Sequence, residues 1–264
     1  MDDPVGQDLI DFAGRLADAA ARVIRPRFRT PLDVDTKSDH SPVTLADRGA
    51  ETAMRELIQA TYPDHGILGE EFGAERLDAD HLWILDPIDG TKSFITGSPL
   101  FGTLVGLWRA GRPVLGIINQ PISGERWLGV EGRRTVLNGR PVATRKCPDL
   151  GQAALYSWGS EGLAGALGPR LHRLADAVSL VRHSADCYAY GLLALGTVDM
   201  VADYDMKAYD FAALVPVVEG AGGAIRDWRG RPLRLDGDGT VLAVGDPDRL
   251  ADGARLLAPG PAED

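Results

Sequence analysis

WILDPIDGTKSF, residues 83–94, places two aspartates directly behind an apolar run. The apolar residues predict a strand, and Pro87 keeps Asp86 out of helical geometry, so the Asp86 carboxylate projects from a strand end. Asp89 follows one turn later, and the carbonyl of Ile88 offers a third oxygen between them. Hard cations such as Mg²⁺ take carboxylate and carbonyl oxygens as ligands. The stretch therefore predicts a set of oxygen ligands at the end of a strand.

The same stretch continues into a turn at Gly90 and Thr91, which predicts the start of a short helix. Backbone N–H groups at a helix start favour a bound anion, so a phosphate fits there. A purely structural interpretation is also open, because D-P-x-D-G is a common turn composition. Taken alone, these five residues favour the turn.

Two further acidic positions favour a site. Glu70 and Glu71 follow the apolar residues 67–69, and successive strand residues face opposite ways, so one carboxylate can enter a shared site while the other supports it. The alternative for this pair is a solvated charge pair. Asp210 opens a predicted helix, where the alternative is an ordinary N-cap. With residues 83–94, these positions predict one convergent acidic site.

Composition narrows the function classes. The 264 residues include 38 acidic and 28 basic side chains, a net charge of −10 that disfavours a nucleic-acid backbone as partner. The two cysteines, Cys147 and Cys187, form no CxxC pair, which predicts reduced, non-catalytic thiols and a cytoplasmic protein. The acidic N-terminus does not resemble a signal peptide, and no apolar run approaches the roughly 18 residues that a membrane span needs.

Hydrophobic periodicity predicts the organisation of the chain. Helices are expected over residues 8–27 and 45–61, the second with Thr44 as N-cap, and a mobile polar loop over residues 30–44. Consecutive strands follow from residue 66, and after Pro148 helices alternate with strands, including a helix over residues 210–220. We therefore predict a layered α/β (α+β) protein. Its predicted parts are residues 1–148, with most of the acidic site, and residues 149–264, with Asp210.

Three motifs carry a family resemblance. GEE at residues 69–71, WILDPIDGTKSF at 83–94 and YDFAALVPVVEGAGG at 209–223 resemble, in order and spacing, the signature regions of the inositol monophosphatase superfamily. Its members are metal-dependent phosphomonoesterases. The similarity extends over about residues 8–250. It implies a five-layered α-β-α-β-α sandwich, commonly a homodimer, acting on a small phosphorylated substrate.

The resemblance also implies a site with two or three Mg²⁺ ions. Its implied metal ligands are Glu70, Asp86, the carbonyl of Ile88, Asp89 and Asp210.

The implied phosphate-binding residues are Gly90 and Thr91. The implied catalytic residues are Glu70, which would also face a third, weaker ion, and Thr91, which Asp47 would orient to help deprotonate the attacking water. Glu71 would support the ligands from behind. Lys37, in the polar loop, would belong to a lid or be a solvated lysine.

The substrate is a finer question. DPIDGTKSF and DYDMKAYDFAAL, residues 203–214, resemble the bacterial histidinol-phosphate phosphatases, whereas inositol-type members more often read DGTTNF. The implied substrate-binding residues are Asp89, Ser184, Asp186 and Asp203. An added acid at Asp186 suits the ammonium group of L-histidinol phosphate. Its structural alternative is a cap on a helix that begins at Cys187.

Other functions stay open at this stage. The runner-up is a phosphatase for inositol phosphate or another small phosphomonoester, and a bisphosphate nucleotidase is a further alternative. A non-catalytic metal-binding relative is disfavoured, because it has no need of Thr91 and Asp47 together. The five histidines form no spaced pair and no G-x-S-x-G elbow is present, so a serine or histidine nucleophile has no support.

Overall fold

The structure is a computed structural model that describes residues 5–31, 34–36, 42–157, 164–165 and 167–259. Its helices are α1 (Gln7–Ile24), α2 (Leu45–Thr61), α3 (Thr91–Ile95), α4 (Gly168–Ala175), α5 (Asp186–Ala194), α6 (Ala208–Phe211), α7 (Leu214–Gly220) and α8 (Leu250–Leu257). Its strands are β1 (Val34–Thr36), β2 (Pro42–Thr44), β3 (Gly66–Gly69), β4 (Gly73–Glu75), β5 (His81–Asp89), β6 (Gly102–Arg109), β7 (Arg112–Gln120), β8 (Glu125–Val130), β9 (Val136–Leu137), β10 (Arg140–Pro141), β11 (Ala154–Ser157), β12 (Leu180–His183), β13 (Met200–Asp203), β14 (Ala224–Arg226) and β15 (Val241–Val244).

Two large sheets organise the chain. The first has the strand order β10-β9-β8-β7-β6-β5-β3-β4 and is antiparallel except where β3 runs parallel to β5. The second has the order β12-β11-β13-β15-β14, in which β11 runs parallel to both of its neighbours. Strands β1 and β2 form a separate antiparallel pair. Along the chain, every strand of the first sheet precedes the connection between β10 and β11, and every strand of the second sheet follows it.

Three layers of helices alternate with the two large sheets, which gives five layers. Helices α1 and α2 pack on one face of the eight-stranded sheet, and α5, α6 and α7 lie between the two sheets. Helices α4 and α8 cover the outer face of the five-stranded sheet. Each interface buries its own apolar cluster, because an amphipathic helix and a sheet each need an apolar partner. The predicted α-β-α-β-α sandwich is confirmed.

Several local predictions can be compared with these elements. The helix at residues 45–61 is confirmed with its N-cap, since Thr44 accepts the N–H of Ala46 at 3.0 Å. The predicted loop over residues 30–44 is wrong in part, because β1 and β2 pair across it. The predicted helix over residues 210–220 is in fact α6 and α7, with a break between them.

The division near residue 148 stays a prediction. The two sheets separate there along the chain, yet one hydrophobic cluster joins Ile84 of the first part to Tyr190 and Phe211 of the second. Among the described residues, none of the helices is long and apolar enough to cross a membrane.

Candidate metal and phosphate site

A β-bulge turns Asp86 and Asp89 toward one place. Strand β5 pairs with β6 so that Asp86 lies opposite Leu104 and Asp89 opposite Gly102, which leaves one extra residue on β5. Such a bulge bends its strand and re-aims side chains. Pro87 fits there because it has no N–H to offer the ladder, and its carbonyl accepts the hydroxyl of Thr103 at 2.8 Å.

Asp210 completes a cluster of three carboxylates. Ligand atoms of Asp86, Asp89 and Asp210 all lie within 4.8 Å of one another. Asp210 is the third residue of α6, and its Oδ2 accepts the N–H of the N-cap residue Lys207 at 2.6 Å while the carboxylate also faces the site. The N-cap alternative for Asp210 is therefore wrong, since Lys207 is the N-cap residue and Asp210 closes the helix start from three residues further on. Asp210 comes from the second part of the chain, whereas Asp86 and Asp89 come from the first.

The cluster has the electrostatics of a cation site. Burial raises the pKa of Asp86 and Asp89 well above the usual range, and neighbouring carboxylates raise each further. Burial, with a smaller contribution from Glu70, raises the pKa of Asp210 to about 7. Oδ1 of Asp86 is buried and accepts no hydrogen bond from the described residues. A divalent cation among these oxygens would relieve the repulsion and fill that open position, so the donor set fits Mg²⁺.

Glu70 and Glu71 lie on the turn after β3. The N–H of Glu70 donates to the carbonyl of Leu85 at 3.2 Å, which places Glu70 beside the end of β5. The Glu70 carboxylate is not in the cluster of three. It lines a cavity that Asp89 and Asp210 also line, and its charge contributes, after burial, to the raised pKa of Asp86. The N–H of Glu71 donates to Glu51 Oε2 at 2.7 Å.

Thr91 and Asp47 lie together as expected. The Thr91 hydroxyl is 3.4 Å from Asp47 Oδ1 and 3.2 Å from the carbonyl of Ile88. Asp47 is fully buried in the first turn of α2, where its Oδ2 accepts the N–H of Thr44 at 2.8 Å and the Thr44 hydroxyl at 2.6 Å. Burial raises the pKa of Asp47, which makes its carboxylate a better proton acceptor.

Gly90 is the point where the strand becomes helix α3. Its φ of 91° is in the left-handed region, and a Cβ there would come within 2.5 Å of Asp186 Oδ2. The carboxylate of Asp186 also accepts the hydroxyl of Ser93 at 2.8 Å, and burial raises its pKa. Asp186 is the first residue of α5, which has no side-chain cap. The capping alternative for Asp186 is therefore wrong.

A cavity of about 320 Å³ opens beside these groups. Its wall includes Ser184 and Asp203, and Asp203 accepts the hydroxyl of the buried Tyr190 at 2.8 Å. The remaining wall is partly aromatic, with Tyr156, Tyr204 and Tyr209. The cavity brings all four of the predicted substrate-binding residues to one place. Lys37 lies outside the described residues.

Sequence reasoning missed three residues that hold this site. Ser93 donates a hydrogen bond to Asp186, and its only signal in the sequence was its position two residues past Thr91. Glu51 and Arg55 form a buried pair behind Glu71, and their i, i+4 spacing on α2 is typical of a solvated helix face.

Fold and site together define a layered α/β protein with a partly buried carboxylate cluster that can hold a divalent cation beside the start of a helix. The chain belongs to the inositol monophosphatase family, whose sequence pattern matches residues 6–256, and it is a phosphatase of that family.

Individual relatives agree with this assignment. The bifunctional phosphatase IMPL2, chloroplastic, of Arabidopsis thaliana is 49% identical over 231 residues, which cover 87% of this chain and 67% of the plant protein. The histidinol-phosphatase of Chlorobaculum parvum is 38% identical over 239 residues, covering 89% of this chain and 91% of the relative. The structure of an inositol monophosphatase from Zymomonas mobilis matches with a TM-score of 0.86 at 48% identity, over 95% of this chain and 98% of the other.

Proposed function

We propose that this phosphatase hydrolyses L-histidinol phosphate to L-histidinol and phosphate. The observation that carries the proposal is the Asp186 carboxylate, which lies against Gly90 in the cavity and is held by Ser93. It places a negative charge next to Gly90, where the phosphate would bind, and so within reach of a group carried by the leaving alcohol. The substrate carries an ammonium group, which a carboxylate binds strongly and a neutral polyol does not offer.

Mg²⁺ is the proposed cofactor, in two or three ions per site. The residues that would hold it are Glu70, Asp86, the carbonyl of Ile88, Asp89 and Asp210, with Glu71 supporting Glu70. When bound, the ions would lower the pKa of the attacking water and offset the negative charge of the phosphate and the leaving alcohol.

The residues at the start of α3 bind the phosphate and move the proton. The first N–H groups of a helix have no acceptor within the helix, so Gly90 and Thr91 offer donors to a phosphate oxygen. The Thr91 hydroxyl accepts a proton from the attacking water as its own proton passes to Asp47 Oδ1, 3.4 Å away. The raised pKa of Asp47 favours that transfer.

The leaving alcohol occupies the rest of the cavity. Asp186 binds the ammonium group. It lies close to Asp89, whose pKa is raised first by burial and then by the Asp186 charge. Ser184 and Asp203 line the wall beyond and are proposed to contact the alcohol. The two cysteines are buried and free, which fits a reducing, cytoplasmic setting. A homodimer remains part of the proposal.

Inositol phosphate is the second candidate substrate. It is favoured by the name and the 48% identity of the Zymomonas mobilis inositol monophosphatase, whose chain is covered almost completely. The plant relative is named a bifunctional phosphatase, and that name specifies no substrate.

A phosphate-release assay separates these functions. Histidinol phosphate, inositol-1-phosphate and an adenosine bisphosphate are compared with and without Mg²⁺. The highest kcat/KM is expected with histidinol phosphate, and only when Mg²⁺ is present. Turnover led by inositol-1-phosphate would overturn the substrate, and turnover that survives removal of divalent cations would overturn the metal site.

A further inference from the structure

Helix α2 holds the turn that carries Glu70 through a buried ion pair. The side chain of Glu51 is 0% exposed and that of Arg55, one helical turn later, is 7% exposed. Arg55 Nε donates to Glu51 Oε1 at 2.7 Å. Both residues lie on the same helix as Asp47, so one rigid element reaches the site at two places.

The Glu51 carboxylate binds the backbone immediately after Glu70. Its Oε2 accepts the N–H of Glu71 at 2.7 Å, and its Oε1 accepts the N–H of Phe72 at 3.2 Å. On the other side, a Cβ at Gly69 would overlap the same carboxylate. The backbone on both sides of Glu70 is therefore fitted to one buried side chain.

Arg55 closes the turn from its far end. Its Nη1 donates to Glu75 Oε1 at 2.9 Å, and its Nη2 donates to the carbonyl of Gly73. The ring of Phe72 lies 5.9 Å from Arg55 Cζ. A planar guanidinium can serve these partners at fixed angles, which a single ammonium group cannot do.

Such a pair is weak evidence of a contribution to stability alone. The cost of taking two charges out of water offsets much of their attraction. Replacing a buried ion pair by apolar side chains of similar volume is often neutral or even stabilising. What the pair adds is a fixed geometry for the turn at residues 70–73. That geometry matters where a carboxylate has to meet a cation.

We propose that Glu51 and Arg55 are positioning residues for the proposed metal ligand Glu70, and that they set the Mg²⁺ affinity of the site. The inference rests on the proposed metal site and is independent of the proposed substrate. Groups that orient a metal ligand commonly change metal affinity by about 10- to 100-fold when they are removed.

The experiment compares Arg55→Met with a matched control, Arg145→Met, in metal-stripped protein. Arg145 Nε donates to Asp199 Oδ1 at 2.7 Å, and Asp199 also accepts the N–H of Ala154 at 2.8 Å, so this pair likewise joins an arginine and a buried carboxylate to a backbone N–H, but far from the site. The rise in melting temperature with Mg²⁺ is measured without substrate. The Mg²⁺ concentration at half of that rise is expected to increase about 10- to 100-fold in Arg55→Met and to stay unchanged in Arg145→Met.

Activity gives a second readout. The kcat of Arg55→Met at saturating Mg²⁺ is expected to stay within a few-fold of the wild type, because the chemistry itself is intact. Arg55→Lys keeps the charge but loses the planar fork, so it should shift the Mg²⁺ requirement in the same direction by less. This variant decides the question if Arg55→Met does not fold.

Two results would overturn the positioning role. One is an unchanged Mg²⁺ requirement in the Arg55 variants, and the other is an equal shift in Arg145→Met. A wild type whose melting temperature ignores Mg²⁺ would overturn the metal site and the positioning role together. The substrate assay above would then be judged separately.

Discussion

Asp186 is the residue on which the proposed substrate choice depends. Its carboxylate is half-buried and, within the described part of the chain, accepts one hydrogen bond, from Ser93, so it has further acceptor capacity for a ligand. Asp186→Asn keeps the size and removes the charge. A hydrogen bond to a charged group contributes about 1.5–3 kcal/mol, so kcat/KM for histidinol phosphate should fall about 10- to 100-fold.

The control for Asp186→Asn is inositol-1-phosphate, whose kcat/KM should stay level or rise because it carries no ammonium group. Ser93→Ala is the companion variant, since it frees the carboxylate without removing its charge, and its loss should be smaller. Equal losses on both substrates would assign Asp186 a structural role.

Asp89 is the sharpest test of the metal cluster at this scale. Asp89→Asn should lower Mg²⁺-dependent phosphate release by more than about 100-fold, because a neutral amide is a poor Mg²⁺ ligand. The fold should survive, since Asn keeps an oxygen for the N–H of Cys187 that Asp89 now accepts. Without metal, its melting temperature should match or exceed that of the wild type, because burial and like charges disfavour the Asp89 anion. Kinetics and circular dichroism measure both effects.

A surface aspartate controls for Asp89→Asn. Asp236 is exposed and pairs with Arg234, so Asp236→Asn should leave both activity and Mg²⁺ requirement unchanged. Full activity in Asp89→Asn would remove this residue from the site.

At the scale of elements, the sequence predicted what depends on local chemistry. The Thr44 cap, the strand leading into Asp86 and the helix opening at Thr91 each follow from side chains next to them in the chain. The predicted end of that strand at Asp86 is wrong, because β5 continues to Asp89. The bulge at residues 86–89 could not be predicted from the sequence, because it depends on how β6 pairs with β5. The break between α6 and α7 and the burial of Glu51 depend on distant packing, which periodicity does not contain.

One contact between elements gives a pH prediction. The ring of His65 stacks on Tyr62 at 4.5 Å and on His81 at 4.7 Å, and its Nδ1 accepts the indole N–H of Trp83 at 3.1 Å. This column joins the end of α2 to β5. Burial, with a contribution from the neighbouring His81, lowers the pKa of His65 below 6.5, while Asp64 and Asp80 oppose that shift.

The sign follows from proton binding. Below pH 6.5 the unfolded chain protonates His65 more readily than the folded chain, so stability is present above that pH and is lost as the pH falls. His65→Gln keeps an acceptor for Trp83 and does not titrate. Between pH 7.5 and 5.5, its melting temperature should therefore fall less than that of the wild type. If the melting temperatures of the two proteins fell equally over this pH range, protonation of His65 would not contribute to the pH dependence of stability.

At the scale of the whole molecule, the carboxylate cluster joins two parts of the chain. Asp86 and Asp89 end a strand of the eight-stranded sheet, whereas Asp210 belongs to a helix between the sheets that follows the five-stranded sheet's β13. A cation held by all three would link these layers. Metal binding should therefore be visible in the stability of the entire fold, and not only in catalysis.

Mg²⁺ should raise the melting temperature of the metal-stripped protein. A ligand at 100 times its dissociation constant stabilises the folded state by about 2.7 kcal/mol. For a chain of about this length each kcal/mol corresponds to about 2–4 °C, so a rise of about 5–10 °C is expected. Asp210→Asn should lose most of this rise and Asp236→Asn none, as scanning calorimetry over a Mg²⁺ series can measure. If Asp210→Asn responded like the wild type, the ion would be held by the eight-stranded sheet alone, and the two parts of the chain would owe their association to the apolar cluster between the sheets.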